Sequence, residues 1–247
     1  MYEKFADVYD HLMEDVDYTA WAQYYIDLAL HQGVVVRSAA DCACGTGNMT
    51  TAFFEKGIRI TGLDSSSDML RVAAEKARNK GIRIPFVQQR LQSLALHKPV
   101  DAVFCACDGV NYLIEPEEVY RFFTSAYQVL RPGGGLFFDI STYEKLSDCL
   151  GNRCIGHDGE DVSYIWQNHF DQSTAMIQMD ITFFVKETKG RNYRRFDETH
   201  FQRAHTLAEI TTWLKEAGFV HSMAFGDQTF AAPAQGEQRV HFAAIRV

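Results

Sequence analysis

Apolar residues return along this chain in two rhythms. Up to Ile140, short continuous apolar runs alternate with stretches in which apolar residues come back every third or fourth position. The runs over residues 34–43, 58–63, 84–88, 101–107 and 136–140 read as buried strands. Between them, Met49, Ala52 and Phe53 mark a short helix stopped by Gly57. Met69, Ala73 and Ala77 share one face of a helix over 68–80 that Gly81 ends. Pro116 opens a further helix at the first-turn position proline tolerates, with Val119, Phe122, Phe123, Ala126, Val129 and Leu130 as its apolar stripe. Arg131-Pro132-Gly133-Gly134-Gly135 predicts a turn before the strand over 136–140. Strand and helix alternating in this way predict parallel strands joined by crossover helices and covered on both faces. Ahead of them, residues 2–30 predict a helical segment rich in aromatics: Tyr2, Phe5, Tyr9, Tyr18, Trp21, Tyr24 and Tyr25.

Beyond Thr142 the period drops to two. From about 164 to 203 the chain reads as successive antiparallel strands. Ile177, Met179, Ile181, Phe183 and Val185 alternate there with Gln178, Asp180, Thr182 and Phe184, as in a sheet buried on one side. Lys189-Gly190-Arg191-Asn192 reads as a hairpin turn. Thr206 and Glu209 then form a capping box ahead of Ile210, Trp213, Leu214 and Ala217, Gly218 terminates that helix, and strands over about 220–225 and 240–247 close the chain. The expected fold class is α/β: a doubly wound, Rossmann-like sheet interrupted by an inserted antiparallel β subdomain. In this division a helical cap occupies 1–32, the core 33–145 and 204–247, and the insertion 146–203, where it forms part of the substrate pocket.

The 247 residues suffice for one sizeable core carrying one insertion. No apolar stretch approaches the roughly 20 residues of a spanning helix. The start Met1-Tyr2-Glu3-Lys4-Phe5-Ala6-Asp7 lacks the basic-then-apolar order of a signal peptide, so a cytoplasmic chain without membrane contact is expected. The net charge of −8, with no clustering of Lys and Arg, argues against a nucleic-acid partner. Arg191, Arg194 and Arg195 come nearest to a basic run and read as the solvated end of a hairpin.

Open parallel sheets bind ligands beyond the carboxyl ends of their strands, where the winding reverses. Asp41-Cys42-Ala43-Cys44-Gly45-Thr46-Gly47 falls at such an end. Its glycines let the backbone turn tightly and approach a ligand, and the helix behind exposes N–H groups that favour a carboxylate. Asp64 closes the next strand about 20 residues on, where an acid accepts both hydroxyls of a ribose. An NAD(P)-dependent oxidoreductase would place a third glycine where this chain has Thr50, and no Tyr-x-x-x-Lys pair is present.

The pattern Asp-x-x-Cys-Gly-Thr-Gly, with Gly62-Leu63-Asp64-Ser65-Ser66, Phe86-Val87-Gln88, Phe104 to Asp108 and the Arg131 turn, instead resembles the class I S-adenosylmethionine-dependent methyltransferases over nearly the whole chain. The resemblance implies a seven-stranded sheet, S-adenosylmethionine as cofactor and methyl transfer by in-line displacement. It implies that Asp41, Ala43, Cys44, Gly45 and Gly47 surround the methionine part of the cofactor, that Asp64 holds the ribose, and that Ser65 and Met69 flank the adenine. Asp108 and Gly109, after the fourth strand, join that set. The acid that usually follows the third strand is absent: Gln89-Arg90-Leu91 stands there, leaving the Leu91 backbone N–H. Ala43 replaces the commoner glycine by a residue nearly as small.

Phe5-Ala6-Asp7-Val8-Tyr9-Asp10, Asp108-Gly109-Val110-Asn111-Tyr112 and Phe196-Asp197-Glu198-Thr199-His200 are similar to segments of small-molecule N-methyltransferases, including those acting on amino sugars. That likeness implies a small-molecule acceptor steered by Tyr9 and by Tyr112, the latter standing where a histidine is frequent. His200 or Glu198 would serve as a base. A module that binds S-adenosylmethionine without catalysis is the other reading of the same site.

Cys42 and Cys44, and Cys105 and Cys107, fall at the ends of strands expected to be neighbours. Structural zinc sites space their cysteines in tight turns, two to four residues between. The pairs therefore read as small thiols filling strand ends, and no metal is expected.

Overall fold

The aromatic N-terminal stretch is broken into three helices in the computed structural model, which describes residues 3–187 and 192–247: α1 (Glu3–Ala6), α2 (Tyr9–Leu12) and α3 (Tyr18–His31). Asp17 begins the longest of them, its carboxylate accepting the Ala20 N–H at 2.9 Å. The alternation then unfolds as predicted: β1 (Ser38–Cys42), α4 (Asn48–Glu55), β2 (Arg59–Asp64), α5 (Ser67–Asn79), β3 (Phe86–Gln88), β4 (Val100–Cys105), α6 (Pro116–Val129) and β5 (Leu130–Ser141). Two details differ. Val34 to Val36 precede β1 without joining it. The glycine-rich segment does not end in a turn before β5: pairing with β4 jumps from Val100↔Leu130 to Ala102↔Gly135, so the segment bulges within the strand.

The second half supplies β6 (Cys154–His157), β7 (Val162–Asp171), β8 (Met176–Lys186) and β9 (Tyr193–Arg203), then α7 (Leu207–Glu216), β10 (His221–Phe225) and β11 (Arg239–Ile245). β6 is an addition to the expected strands: short and mostly exposed, it carries little period-two signal. The capping box of Thr206 and Glu209 is formed at α7. The hairpin turn read at Lys189-Gly190-Arg191 lies outside the described residues.

Seven strands pair in the order β10-β11-β5-β4-β1-β2-β3, and β6 to β9 form a separate antiparallel sheet in chain order. β1 to β5 run parallel, while β11 runs against both β5 and β10. Winding reverses between β1 and β4. Alternate residues of the strands feed two cores. Ala40, Val103 and Phe138 pack with Phe122, Phe123, Ile210 and Leu214 of α6 and α7. Ala39, Phe104 and Phe137 pack with Tyr25, Leu28 and Phe53 of α3 and α4. Burying one such phenylalanine contributes on the order of 1.5–3 kcal/mol. Phe5, Ala6 and Val8 wedge between Met69 of α5 and the apolar face of the second sheet, at Ile181, Phe183 and Phe196. No helix among the described residues is long and apolar enough to cross a membrane.

Candidate active site

The crevice opens where β1 and β4 part. The backbone leaves β1 through three left-handed residues, Ala43 (φ +53°), Gly45 (φ +54°) and Gly47 (φ +77°), which fold it into a loop before α4. Asp64, at the end of β2, ties this loop down: its carboxylate accepts the Gly45 N–H and the Ser66 N–H, each at 2.8 Å. Burial raises the Asp64 carboxyl against those hydrogen bonds. Behind the loop, Asp41 is fully buried and accepts the Thr50 hydroxyl. Burial pushes Asp41 up to about 7, the Thr50 hydrogen bond opposing it and the Asp64 charge adding to it.

From the other strand, the turn after β4 passes through left-handed Cys107 and Asp108. Asp139 of β5 accepts both of their N–H groups, at 2.9 and 3.1 Å. Gly109 then presses on the β1 loop, where a Cβ would stand 2.7 Å from Cys105 Sγ and 3.1 Å from the Ala43 Cβ. Only a glycine lets the two turns close this tightly. Asn111, fully buried, donates to the carbonyls of Ser141 and Arg203, each at 2.9 Å, and so fixes the next residue, Tyr112, beside the second sheet.

One cavity of about 850 Å³ joins these parts. Of the residues marked in the sequence, Asp41, Ala43, Cys44, Gly45, Asp64, Ser65, Met69, Leu91, Gly109, Tyr9, Tyr112 and His200 line it. Two of the residues marked for the cofactor do not. Gly47 faces away as the N-cap of α4, where a Cβ would meet Ala73 at 3.0 Å and the Phe86 ring at 3.1 Å. Asp108 turns behind the wall to pair with Arg239 and Lys145. Burial alone would raise its carboxyl, and those two cations outweigh burial and hold it well below the usual range.

Part of the lining is aromatic. Phe5 packs edge-on to Tyr9 and against His200, with ring centres 5.6 and 4.9 Å apart, and Tyr112 meets His200 at 6.0 Å. Burial raises the Tyr9 phenol, with Cys107, Tyr18 and Tyr112 adding, so the hydroxyl keeps its proton. Burial lowers His200, which leaves a neutral imidazole near pH 7. β9 is the edge of its sheet, yet its Phe196, Glu198, His200 and Gln202 face inward and are buried. Glu198 is not part of the lining.

Residues given no site role in the sequence reading also line the cavity: Phe5, Tyr18, Thr46, Asn48, Cys107 and Glu118. Asp10 of α2 gathers two of them together with Lys76, accepting Thr46 Oγ1 at 2.6 Å, Asn48 Nδ2 at 2.9 Å and Lys76 Nζ at 2.5 Å. It sits one residue after Tyr9 in a segment already singled out, but nothing in the pattern links it to Lys76. Burial pushes the thiols of Cys42, Cys44, Cys105 and Cys107 up, which disfavours the thiolate a metal requires.

A carboxylate at the end of β2, amides at a helix start and a ring of aromatics suit a ligand with a diol, an anionic tail and a central cation. Fold and site together define a Rossmann-like α/β protein with a crevice at the strand ends suited to such a ligand. Residues 39–134 match the family model described as a methyltransferase domain. A protein of Geobacillus sp. (strain WCH70) whose name carries a methyltransferase and no acceptor is 34% identical over 245 residues, 98% of each chain. The crystal structure of an S-adenosylmethionine-dependent methyltransferase from Clostridium acetobutylicum ATCC 824 superposes with a TM-score of 0.86 at 31% identity, covering 99% of this chain and 98% of that one. A dTDP-4-amino-2,3,4,6-tetradeoxy-D-glucose N,N-dimethyltransferase of Saccharopolyspora spinosa is 26% identical over 86% of this chain and 84% of its own. The chain belongs to the S-adenosylmethionine-dependent methyltransferases. Its cofactor is S-adenosylmethionine, and the oxidoreductase reading falls away.

Proposed function

We propose that this methyltransferase acts on a small-molecule acceptor held at the aromatic end of the cavity, between Tyr9, Tyr112 and His200. The observation that carries the reading is one continuous cavity lined both by Gly45, Asp64 and Leu91 and by those three side chains. In this reading the chain works as one methyltransferase domain over 1–247, with the cap at 1–32, the core at 33–145 and 204–247, and the insertion at 146–203 contributing part of the acceptor wall. The amino-sugar substrate in the name of the Saccharopolyspora spinosa relative supports a small polar metabolite. The net charge of −8 supports neither nucleic acid nor an anionic membrane surface as partner, and a cytoplasmic setting fits the same features.

Bound S-adenosylmethionine supplies a methyl carbon on a sulfonium: the acceptor's lone pair bonds to that carbon as the carbon–sulfur bond breaks. Asp64 would receive the ribose hydroxyls, the N–H groups at the start of α4 would hold the methionine carboxylate, and the Leu91 N–H would hold the base. Asp41, Ala43, Cys44, Gly45 and Gly109 would wall the methionine side. Tyr9 and Tyr112 hold the acceptor in line with the methyl carbon and keep water out. Alignment of this kind contributes up to roughly 7–11 kcal/mol, more than the 10²–10⁴-fold a single general base supplies. A base is needed only for an acceptor that arrives protonated, and neutral His200 is placed to take that proton.

Asp64→Ala is expected to abolish binding of S-adenosylhomocysteine in calorimetry, and unchanged affinity would refute the assignment of the site. A screen for transfer of labelled methyl into a metabolite mixture identifies the acceptor. No transfer into any small molecule, from protein that binds the cofactor, points to the non-catalytic module instead.

A further inference from the structure

The turn after β3 brings no carboxylate to the cavity, yet one reaches that end from another element. Gln88, Gln89, Arg90, Leu91 and Gln92 all line the cavity, and none is acidic. Glu118, in the first turn of α6, lines it too. α6 is seated against the helical turn at Leu91–Ser93: Ser125 Oγ donates to the Leu91 carbonyl at 2.7 Å, and Gln92 Nε2 donates to Glu118 Oε1 at 2.9 Å. Val119, Phe122 and Phe123 anchor the helix in the core, so packing fixes where Glu118 points. An acid in the first turn is also favoured by the helix dipole.

Where the base of an adenosine lies follows from the strand order. β3 is the neighbour of β2 on the side away from β1, and the cavity lining runs from Asp64 to Gln88–Gln92 after β3, so a base attached to a ribose at Asp64 has room to extend there. Adenine presents an exocyclic amino group, a donor that calls for an acceptor. Arg90 has only donors. Gln89 is committed at both ends, donating to the Ala95 carbonyl at 2.8 Å and accepting the Ala95 N–H at 2.9 Å. Gln88 donates to the Ser65 carbonyl at 2.8 Å and keeps only a neutral amide oxygen. Glu118 gives one oxygen to Gln92 and retains a second, charged one, and hydrogen bonds to a charged acceptor are roughly twice as strong.

We propose that Glu118 accepts the exocyclic amine of the cofactor's adenine, so that recognition of the base comes from α6 instead of the β3 turn. The proposal rests on the ribose being held at Asp64. Its test is calorimetric binding of S-adenosylhomocysteine and of its 6-oxo counterpart, S-inosylhomocysteine, to the wild-type protein and to Glu118→Gln, Gln88→Ala and Asp64→Ala. Glutamine at 118 keeps an oxygen for Gln92 while removing the charged acceptor. The wild type is expected to prefer the adenosyl ligand by about tenfold or more. Glu118→Gln loses about tenfold toward that ligand and nothing toward the inosyl one. Equal loss toward both ligands, loss toward neither, or discrimination that disappears in Gln88→Ala instead overturns the proposal. If Asp64→Ala binds both ligands as the wild type does, the ribose reading itself fails, and the base position with it.

Discussion

Ala43 shows how much one backbone angle hides from a sequence. Read as a letter, it replaces glycine with a residue almost as small. In the fold it holds φ +53°, a conformation that costs an L-residue roughly 1–2 kcal/mol, and it does so against Gly109. Asp41, two residues earlier, was legible as a site residue, but its burial and the proton that follows from it were not. Its carboxyl, pushed up to about 7, keeps in the folded protein a proton that the unfolded chain releases near pH 4. A raised carboxyl pKa means that ligand-free stability declines as pH climbs from about 4 to 7. Asp41→Asn removes that penalty and is expected to be at least as stable as the wild type at pH 8 in thermal unfolding. In the proposed complex the cationic cofactor lies beside Asp41 and favours the carboxylate. Wild-type affinity for S-adenosylmethionine should therefore fall below pH 7 with proton release on binding, whereas Asp41→Asn should show a flat profile. Calorimetry in buffers of different ionisation enthalpy measures both, and a flat wild-type profile contradicts the account.

Among elements, α2 is short yet tied directly to the loop beside the cavity. Four residues long, it brings Asp10 to Thr46 and Asn48 at the start of α4 and to Lys76 of α5, while Asp7, just ahead of it, meets Arg71 at 2.6 Å. Helices this short do not persist on their own propensity, so these polar contacts and the wedge of Phe5 and Val8 hold α1 and α2 in place. The Asp10–Lys76 pair is partly exposed, and solvent limits it to about 1 kcal/mol. Asp10→Asn should accordingly speed amide exchange across residues 5–12 by about fivefold and leave the rest of the chain unchanged; uniform acceleration would mean a global loss of stability instead. Elements with strong local signals were readable in advance: the Pro116 start, the Thr206–Glu209 box and the alternation of β8. The breaks between α1, α2 and α3, the bulge at 131–134, β6 and the reach of Glu118 were not. The bulge is held by Arg246 and Glu118 by Gln92, partners distant in sequence.

For the whole molecule, the longest-range polar contacts lie just behind the cavity. Arg239 of β11 pairs with Asp108 and with the fully buried Asp139, which also accepts the Tyr25 hydroxyl at 2.8 Å; His241 contacts that hydroxyl and Asp227. The cluster joins α3, the β4 turn, β5 and β11, and so ties chain before the second sheet to chain after it. Removing its cation leaves a buried carboxylate uncompensated. Arg239→Met should cost about 3–5 kcal/mol in denaturant unfolding, and a loss below 1 kcal/mol would show that the cluster is not holding the halves together. Among the described residues the two sheets, by contrast, share no strand pairing, and no backbone rung passes from the strands around the crevice to the strand that carries His200. A lineage can therefore remodel that outer wall residue by residue while the cradle stays unaltered, and enzymes descended from one ancestor come to serve unlike metabolites.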